Sequence, residues 1–185
     1  LESPNRIKEI CKDIIEHYTS TIQPNGFKAM IVTNSRNAAV TYKEMLDEIN
    51  DAPMSAVIIS GDHNDPKRLR DHTDSAKQKQ LIDKFKKPLS EDKLSIIIVK
   101  DMLLTGFDAP IAQVMYLDRK LTDHNLLQAI ARVNRTNKNK FRGYIIDYFG
   151  LSDHLTEALD MFSSEDVSGA LKDLKEEIPK LERAH

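Results

Sequence analysis

The sequence contains a single cysteine, Cys11, and only six glycines among its 185 residues. One cysteine excludes an internal disulfide, which agrees with a reducing, cytoplasmic location. No apolar run approaches the roughly 18 residues that a membrane-spanning helix needs. The six histidines are scattered, and no Cys, His and Asp positions have the spacing of metal ligands. We therefore expect neither a membrane span nor a metal site.

The sequence also lacks the parts with which a protein hydrolyses nucleotides by itself. None of the glycines precedes a lysine, so the phosphate-binding pattern G-x-x-x-x-G-K-[ST] is absent. The acidic pair Asp47 and Glu48 lies in a helical pattern and not after an apolar strand, where a metal-nucleotide site needs it. An arginine that contacts a phosphate here must therefore reach a nucleotide held by a different domain, or bind a phosphate of another kind.

What the sequence does contain is typical of a globular α/β domain, with 40% hydrophobic and 30% charged residues. The net charge is only −2, but its distribution is uneven. Residues 119–142 hold seven basic residues and one acid, whereas residues 153–185 hold nine acids and four bases. This pattern favours a protein that binds polyphosphate at one place, with an ordinary solvated loop as the alternative. The chain starts at Leu1 and not at methionine, so we expect a piece of a longer protein.

Hydrophobic periodicity predicts alternating strands and helices. Helical spacing is seen at residues 4–18, from about 35 to 50, at 74–86 and at 123–133. Short apolar runs predict strands at residues 28–33, 55–60, 94–99, 114–117 and 143–147, with a long polar loop at 61–68 between the second strand and its helix. The order β-α-β-α-β-β-α-β favours a three-layer α/β fold, in which helices cover both faces of a mostly parallel sheet.

The predicted organisation has three parts. Residues 1–23 form an N-terminal helix packed on the domain, residues 24–150 form the domain itself, and residues 151–185 form a C-terminal helical appendage with an apolar stripe that needs a partner surface.

One predicted helix carries the strongest functional signal. Gln128, Arg132 and Arg135 are spaced four and three residues apart, which places all three side chains on one helical face. An amide beside two guanidinium groups suits the oxygens of a phosphate. A solvated helix face is the alternative. It explains the packed apolar positions of the same helix less well.

The segment 128–135, QAIARVNR, resembles the Q-x-x-G-R-x-x-R signature (motif VI) of superfamily 2 helicases and translocases. The segment 103–108, LLTGFD, stands where those proteins have motif V. Together with residues 116–135 and the strand that ends in IIDYFG, the string resembles more narrowly the motor part of the R subunit of type I restriction enzymes. The similarity covers about residues 29–150.

This resemblance implies a second RecA-like domain, the half of a two-domain motor that lacks the phosphate loop. ATP would lie in the cleft between the halves, with Mg²⁺ ligated outside this chain, and DNA would lie across both. Arg135 would be the arginine finger and Arg132 its companion. Gln128, Gly106 and Asp108 would contact or order the nucleotide. The residues implied to contact the DNA backbone are Ser35, Arg36 and Lys100. The position of Ser35 before a predicted helix favours a helix cap over a ligand contact, and Arg36 is the better candidate for such a contact.

Three positions depart from the superfamily pattern: Ala131 replaces a common glycine, Lys100 a threonine and Thr105 an arginine. The implied function is the second motor domain of an ATP-dependent DNA translocase that is inactive in isolation. Its partners would be double-stranded DNA, a preceding RecA-like domain, and specificity and methylation subunits. The alternatives are the C-terminal half of another superfamily 2 helicase and a non-enzymatic α/β docking module.

Overall fold

The computed structural model describes residues 2–104, 107–121, 123–134, 140 and 142–150. Its strands are β1 (Lys28–Thr33), β2 (Ser55–Ile58), β3 (Ile96–Val99), β4 (Ala112–Asp118) and β5 (Tyr144–Asp147). Its helices are α1 (Pro4–His17), α2 (Arg36–Asp47), α3 (Lys67–Arg70), α4 (Ser75–Lys86) and α5 (Asp123–Val133). A π-helical turn (Tyr18–Ile22) and a 3-10 turn (Gln23–Asn25) connect α1 to β1.

All five strands are parallel, in the order β2-β3-β1-β4-β5. Successive side chains of a strand point to opposite faces, and the buried residues divide accordingly into two cores. Ile31 and Tyr116 pack on the side of α1 and α2. Val32 and Leu117 pack on the side of α4 and α5. The predicted three-layer fold with a parallel sheet is confirmed.

Local sequence explains where the elements begin. Ser3 and Pro4 stand at the N-cap and first position of α1, which buries Ile7 and Ile14 on its apolar stripe. Gly26 has φ +80°, a left-handed conformation that glycine adopts without strain, and it ends the turn before β1. The side chain of Ser35 caps α2, as its oxygen accepts a hydrogen bond from the Ala38 N–H at 3.0 Å.

Several boundaries of the predicted elements differ from those in the structure. β2 ends at Ile58 and not at residue 60, since the Ile59 carbonyl accepts a hydrogen bond from the Gln78 side chain at 2.7 Å. β4 extends to Asp118, a charged residue that apolar patterning excludes from a buried strand. The polar loop predicted at 61–68 is shorter in the structure, because α3 begins at Lys67. Within the described residues, none of the helices is long and apolar enough to cross a bilayer. The predicted appendage at 151–185 lies outside the described residues.

Candidate functional site

The carboxyl ends of the five parallel strands lie along one edge of the sheet, which we call the rim. Val32 pairs with Val99 of β3 and with Leu117 of β4, so the residues that follow these three strands are brought together there. The Thr33 hydroxyl joins two of the strand ends, since it lies 2.9 Å from the Ser35 carbonyl oxygen and 3.1 Å from that of Val99. The chain leaves β1 towards the side that holds β2 and β3, and then crosses to β4 and β5 on the other side of β1, so the strand order reverses at β1. Ligands of open α/β sheets bind at such a reversal of strand order.

Arg36 lies at this rim and is held by an acid. Its Nη1 donates to Asp65 Oδ2 at 2.5 Å and to the Ser60 carbonyl at 2.9 Å. The hydrogen bond between the two side chains raises the pKa of Arg36 and lowers that of Asp65. Arg36 therefore ties the start of α2 to the loop after β2. Ser35 serves as the cap of the same helix. A DNA contact by either residue stays a prediction.

Lys100 follows β3 directly and belongs to a three-residue cluster. Its Nζ lies 2.9 Å from Asp101 Oδ2, and Arg119 Nη1 lies 2.5 Å from Asp101 Oδ1. Arg119 also donates to the Lys100 carbonyl at 2.9 Å. Burial acts to raise the pKa of Asp101, but hydrogen bonds from Arg119 and Lys100 outweigh it and lower that pKa. The cluster therefore carries a net positive charge at the rim.

The helix with the strongest sequence signal is α5. Its Arg132 is half-buried, and Nε donates to the Leu104 carbonyl at 3.4 Å, in the turn that follows β3. This contact joins α5 to the end of the described turn after β3, at Leu104. Gln128 is half-buried one turn earlier on α5, and Asp108 is exposed. Gly106 and Arg135 lie outside the described residues.

Sequence reasoning missed the polar network that holds the ends of β4 and β5. The Arg6 guanidinium donates to both carboxylate oxygens of Asp118, at 2.9 and 2.7 Å, and to the Tyr148 carbonyl at 3.0 Å. The Tyr42 hydroxyl donates to Asp118 Oδ2 at 2.8 Å. The one available signal was Asp118 itself, because a carboxylate at the end of a buried strand needs partners. The partners are on α1 and α2, far away in sequence.

The rim offers cations and hydrogen-bond donors, which suit anionic oxygens. Among the described residues, no group of three or more His, Cys, Asp or Glu side chains could hold a metal ion. A cavity of about 200 Å³ lies elsewhere, at the outer edge of β2, and its lining includes Ser55, His72 and Gln78 but none of the predicted site residues. The chemistry that this rim can perform is therefore anion binding and charge stabilisation.

Comparison with known proteins agrees with the resemblance in the sequence. Residues 70–150 match the family model "Type I restriction enzyme subunit R domain 3". The chain is 39% identical to the MjaIXP type I restriction enzyme endonuclease subunit of Methanocaldococcus jannaschii, over 97% of this chain and 17% of that protein. It is 36% identical to the HindI endonuclease subunit of Haemophilus influenzae, over 92% of this chain and 17% of that protein. The chain thus spans about a sixth of the length of these relatives.

A solved structure extends the agreement to the fold. The C-terminal domain of the DEAD-box protein Dbp5 matches with a TM-score of 0.54 at 16% identity, covering 84% of this chain and 79% of that domain. At this identity the match shows the fold alone, and it confirms the predicted RecA-like architecture.

Proposed function

From the premise that this chain is a homologue of the endonuclease subunits of type I restriction enzymes, we propose that it is the second motor domain of an ATP-dependent DNA translocase. The observation that carries the proposal is the contact from Arg132 on α5 to the turn after β3, at the ligand-binding edge of a parallel sheet. Residues 24–150 would be the motor domain, residues 1–23 a helix packed on it, and residues 151–185 an appendage or linker.

In this proposal Arg135 is the arginine finger, and Arg132 is its companion. An arginine finger stabilises the charge that spreads over the transferring phosphoryl group, and fingers of this kind are typically worth about 10³- to 10⁵-fold in rate. The ATP would be held by a preceding RecA-like domain, with Mg²⁺ ligated there, since this sequence lacks the phosphate loop. Gln128, Gly106 and Asp108 would complete the cleft from this side.

The division of labour between two domains would couple hydrolysis to movement. The finger reaches the γ-phosphate only when the cleft is closed, and ATP and its products stabilise different cleft conformations. Opening and closing would then move the DNA-contacting surfaces along the duplex backbone, where Ser35, Arg36 and Lys100 are the contacts that we propose. Backbone contacts carry no sequence information. Site choice in the cytoplasmic complex would therefore belong to specificity and methylation subunits.

The test replaces Arg135 by alanine and by lysine in the full-length subunit, within the assembled complex, and measures DNA-stimulated ATP hydrolysis. We expect Arg135→Ala to lower kcat by about 10³-fold or more and Arg135→Lys to restore little, because lysine lacks the planar, forked guanidinium. The KM for ATP should change little, since the phosphate loop is elsewhere. Lys79→Ala, at an exposed position of α4, serves as the control.

The 185-residue chain alone should hydrolyse no ATP. Near-normal turnover by the Arg135→Ala subunit, or strong turnover by the isolated chain, would refute the proposal.

A further inference from the structure

The cluster of Lys100, Asp101 and Arg119 lies over the end of β1. Asp101 follows β3 and Arg119 follows β4, and these strands flank β1 on its two sides. The ion pair between Arg119 and Asp101 at 2.5 Å therefore spans the point where the strand order reverses. Sheets of this type bind their ligands at that point.

In this cluster the Asp101 carboxylate lies between two cations, as a bound anion would. Each carboxylate oxygen of Asp101 contacts one cation, Oδ1 with Arg119 and Oδ2 with Lys100. Two non-bridging oxygens of a phosphate group can make the same pair of contacts. Arg119 is in addition oriented by its hydrogen bond to the Lys100 carbonyl, so its guanidinium has a partner in the rim that does not depend on Asp101.

The carboxylate can leave at low cost. The side chain of Asp101 is 61% exposed, whereas that of Arg119 is only 19% exposed. An acid that moves into water regains its hydration, and exposed ion pairs are worth little. The cation is the fixed part of the pair, and the acid is the part that can be exchanged.

We propose that Arg119 and Lys100 form one phosphate-binding site, that Asp101 occupies this site in the absence of nucleic acid, and that a backbone phosphate of DNA displaces the Asp101 carboxylate. The DNA as ligand rests on the proposed motor function. Arg119 becomes a DNA-binding residue, and Asp101 an internal competitor that weakens binding and makes it more easily reversed.

The test measures the affinity of the full-length subunit for duplex DNA of arbitrary sequence between 50 and 200 mM salt, by fluorescence anisotropy. A plot of log affinity against log salt concentration has a negative slope, and each lost phosphate contact decreases the magnitude of that slope by about 0.9. We expect Arg119→Gln to weaken binding by roughly tenfold at 50 mM, a deficit that shrinks to about threefold at 200 mM. Lys79→Gln, which removes an exposed lysine on α4, should leave affinity and slope unchanged.

Asp101→Asn gives the opposite sign. We expect tighter binding by about two- to fivefold, the factor that exposed ion pairs provide. In an Arg119→Gln background the gain should shrink, because the acid no longer masks the arginine. An equal gain in both backgrounds would mean simple repulsion of DNA and would overturn the competitor role, as would weaker binding by Asp101→Asn. An unchanged slope for Arg119→Gln would overturn the site. Arg119→Lys keeps the charge and should keep the slope, in case the glutamine variant folds poorly.

A phosphate of ATP is the other source of the same chemistry, so the KM for ATP is measured on the same variants. A raised KM with an unchanged DNA slope would assign the site to the nucleotide and overturn the DNA assignment. The motor proposal is judged separately, by the ATP hydrolysis of Arg135→Ala. If that variant is inactive and the DNA measurements show no effect of Arg119, this inference fails alone.

Discussion

Replacing Arg6 by alanine would leave the Asp118 carboxylate without its two strongest hydrogen bonds. Asp118 is only 6% exposed, and its remaining partner is the Tyr42 hydroxyl. The same substitution removes the bond to the Tyr148 carbonyl, so the ends of β4 and β5 would each lose a hydrogen bond to α1. A neutral phenol stabilises a buried negative charge less than a bidentate guanidinium does.

Removal of one partner from a fully buried ion pair costs about 3–5 kcal/mol, because it leaves an uncompensated charge. The Arg6 side chain is 30% exposed, so water can partly replace it. We therefore expect Arg6→Ala to lower the free energy of unfolding by about 2–3 kcal/mol, slightly below that range. Lys12→Ala breaks an exposed pair with Glu9 on the same helix and should cost less than about 0.5 kcal/mol.

The assay is equilibrium unfolding of the 185-residue chain in urea, followed by circular dichroism, with the slope m checked for constancy. A second substitution tests the cause. Asp118→Asn in the Arg6→Ala background removes the uncompensated negative charge and keeps an oxygen that accepts the hydrogen bond from Tyr42. It should therefore recover part of the lost stability. A loss below about 1 kcal/mol for Arg6→Ala, or a further loss on adding Asp118→Asn, would refute the reasoning.

Two other positions give predictions of stability. A Cβ added at Gly143 would lie 2.2 Å from the Val133 carbonyl oxygen, so Gly143→Ala should cost at least about 2 kcal/mol in urea unfolding, whereas Gly61→Ala meets only Thr73 at 3.2 Å and should cost clearly less. Burial lowers the pKa of Lys140 from 10.5 to about 8, so the unfolded chain binds one proton more than the folded chain between these values. Stability relative to Lys140→Met should therefore rise from pH 8 to pH 10, and a difference that is independent of pH would contradict this assignment.

Elements bounded by strong local signals were predictable from the sequence. β1 occupies residues 28–33 as predicted, because an apolar run lies between the Gly26 turn and the Ser35 cap. α5 occupies residues 123–133 as predicted, because its apolar positions recur with the helical period. In both cases the determinants lie within a few residues of the element.

The partners of buried charges were not predictable, because they are far apart in the sequence. Arg6 and Asp118 are 112 residues apart, and Arg36 and Asp65 are 29 residues apart. Lys28 reads as the polar first residue of a strand, yet it is fully buried, with Nζ 3.2 Å from the Lys84 carbonyl and 5.6 Å from the Phe85 ring centroid. Periodicity identifies which face a side chain occupies, but it does not identify the group that neutralises it.

The three arginine-aspartate pairs at the rim differ in the exposure of the acid, and this difference decides which arginine can exchange its partner. Asp118 and Asp65 are almost fully buried, so removal of the arginine from either would leave a buried negative charge without its cationic partner. Asp101 alone of the three can turn into water. Arg36 can therefore approach DNA only with the donors that Asp65 does not use, whereas Arg119 can give up its acid entirely. Among these three arginines, Arg119 is therefore the one that we propose exchanges its acid for a phosphate, at the ends of β3 and β4. The other two pairs stabilise the rim.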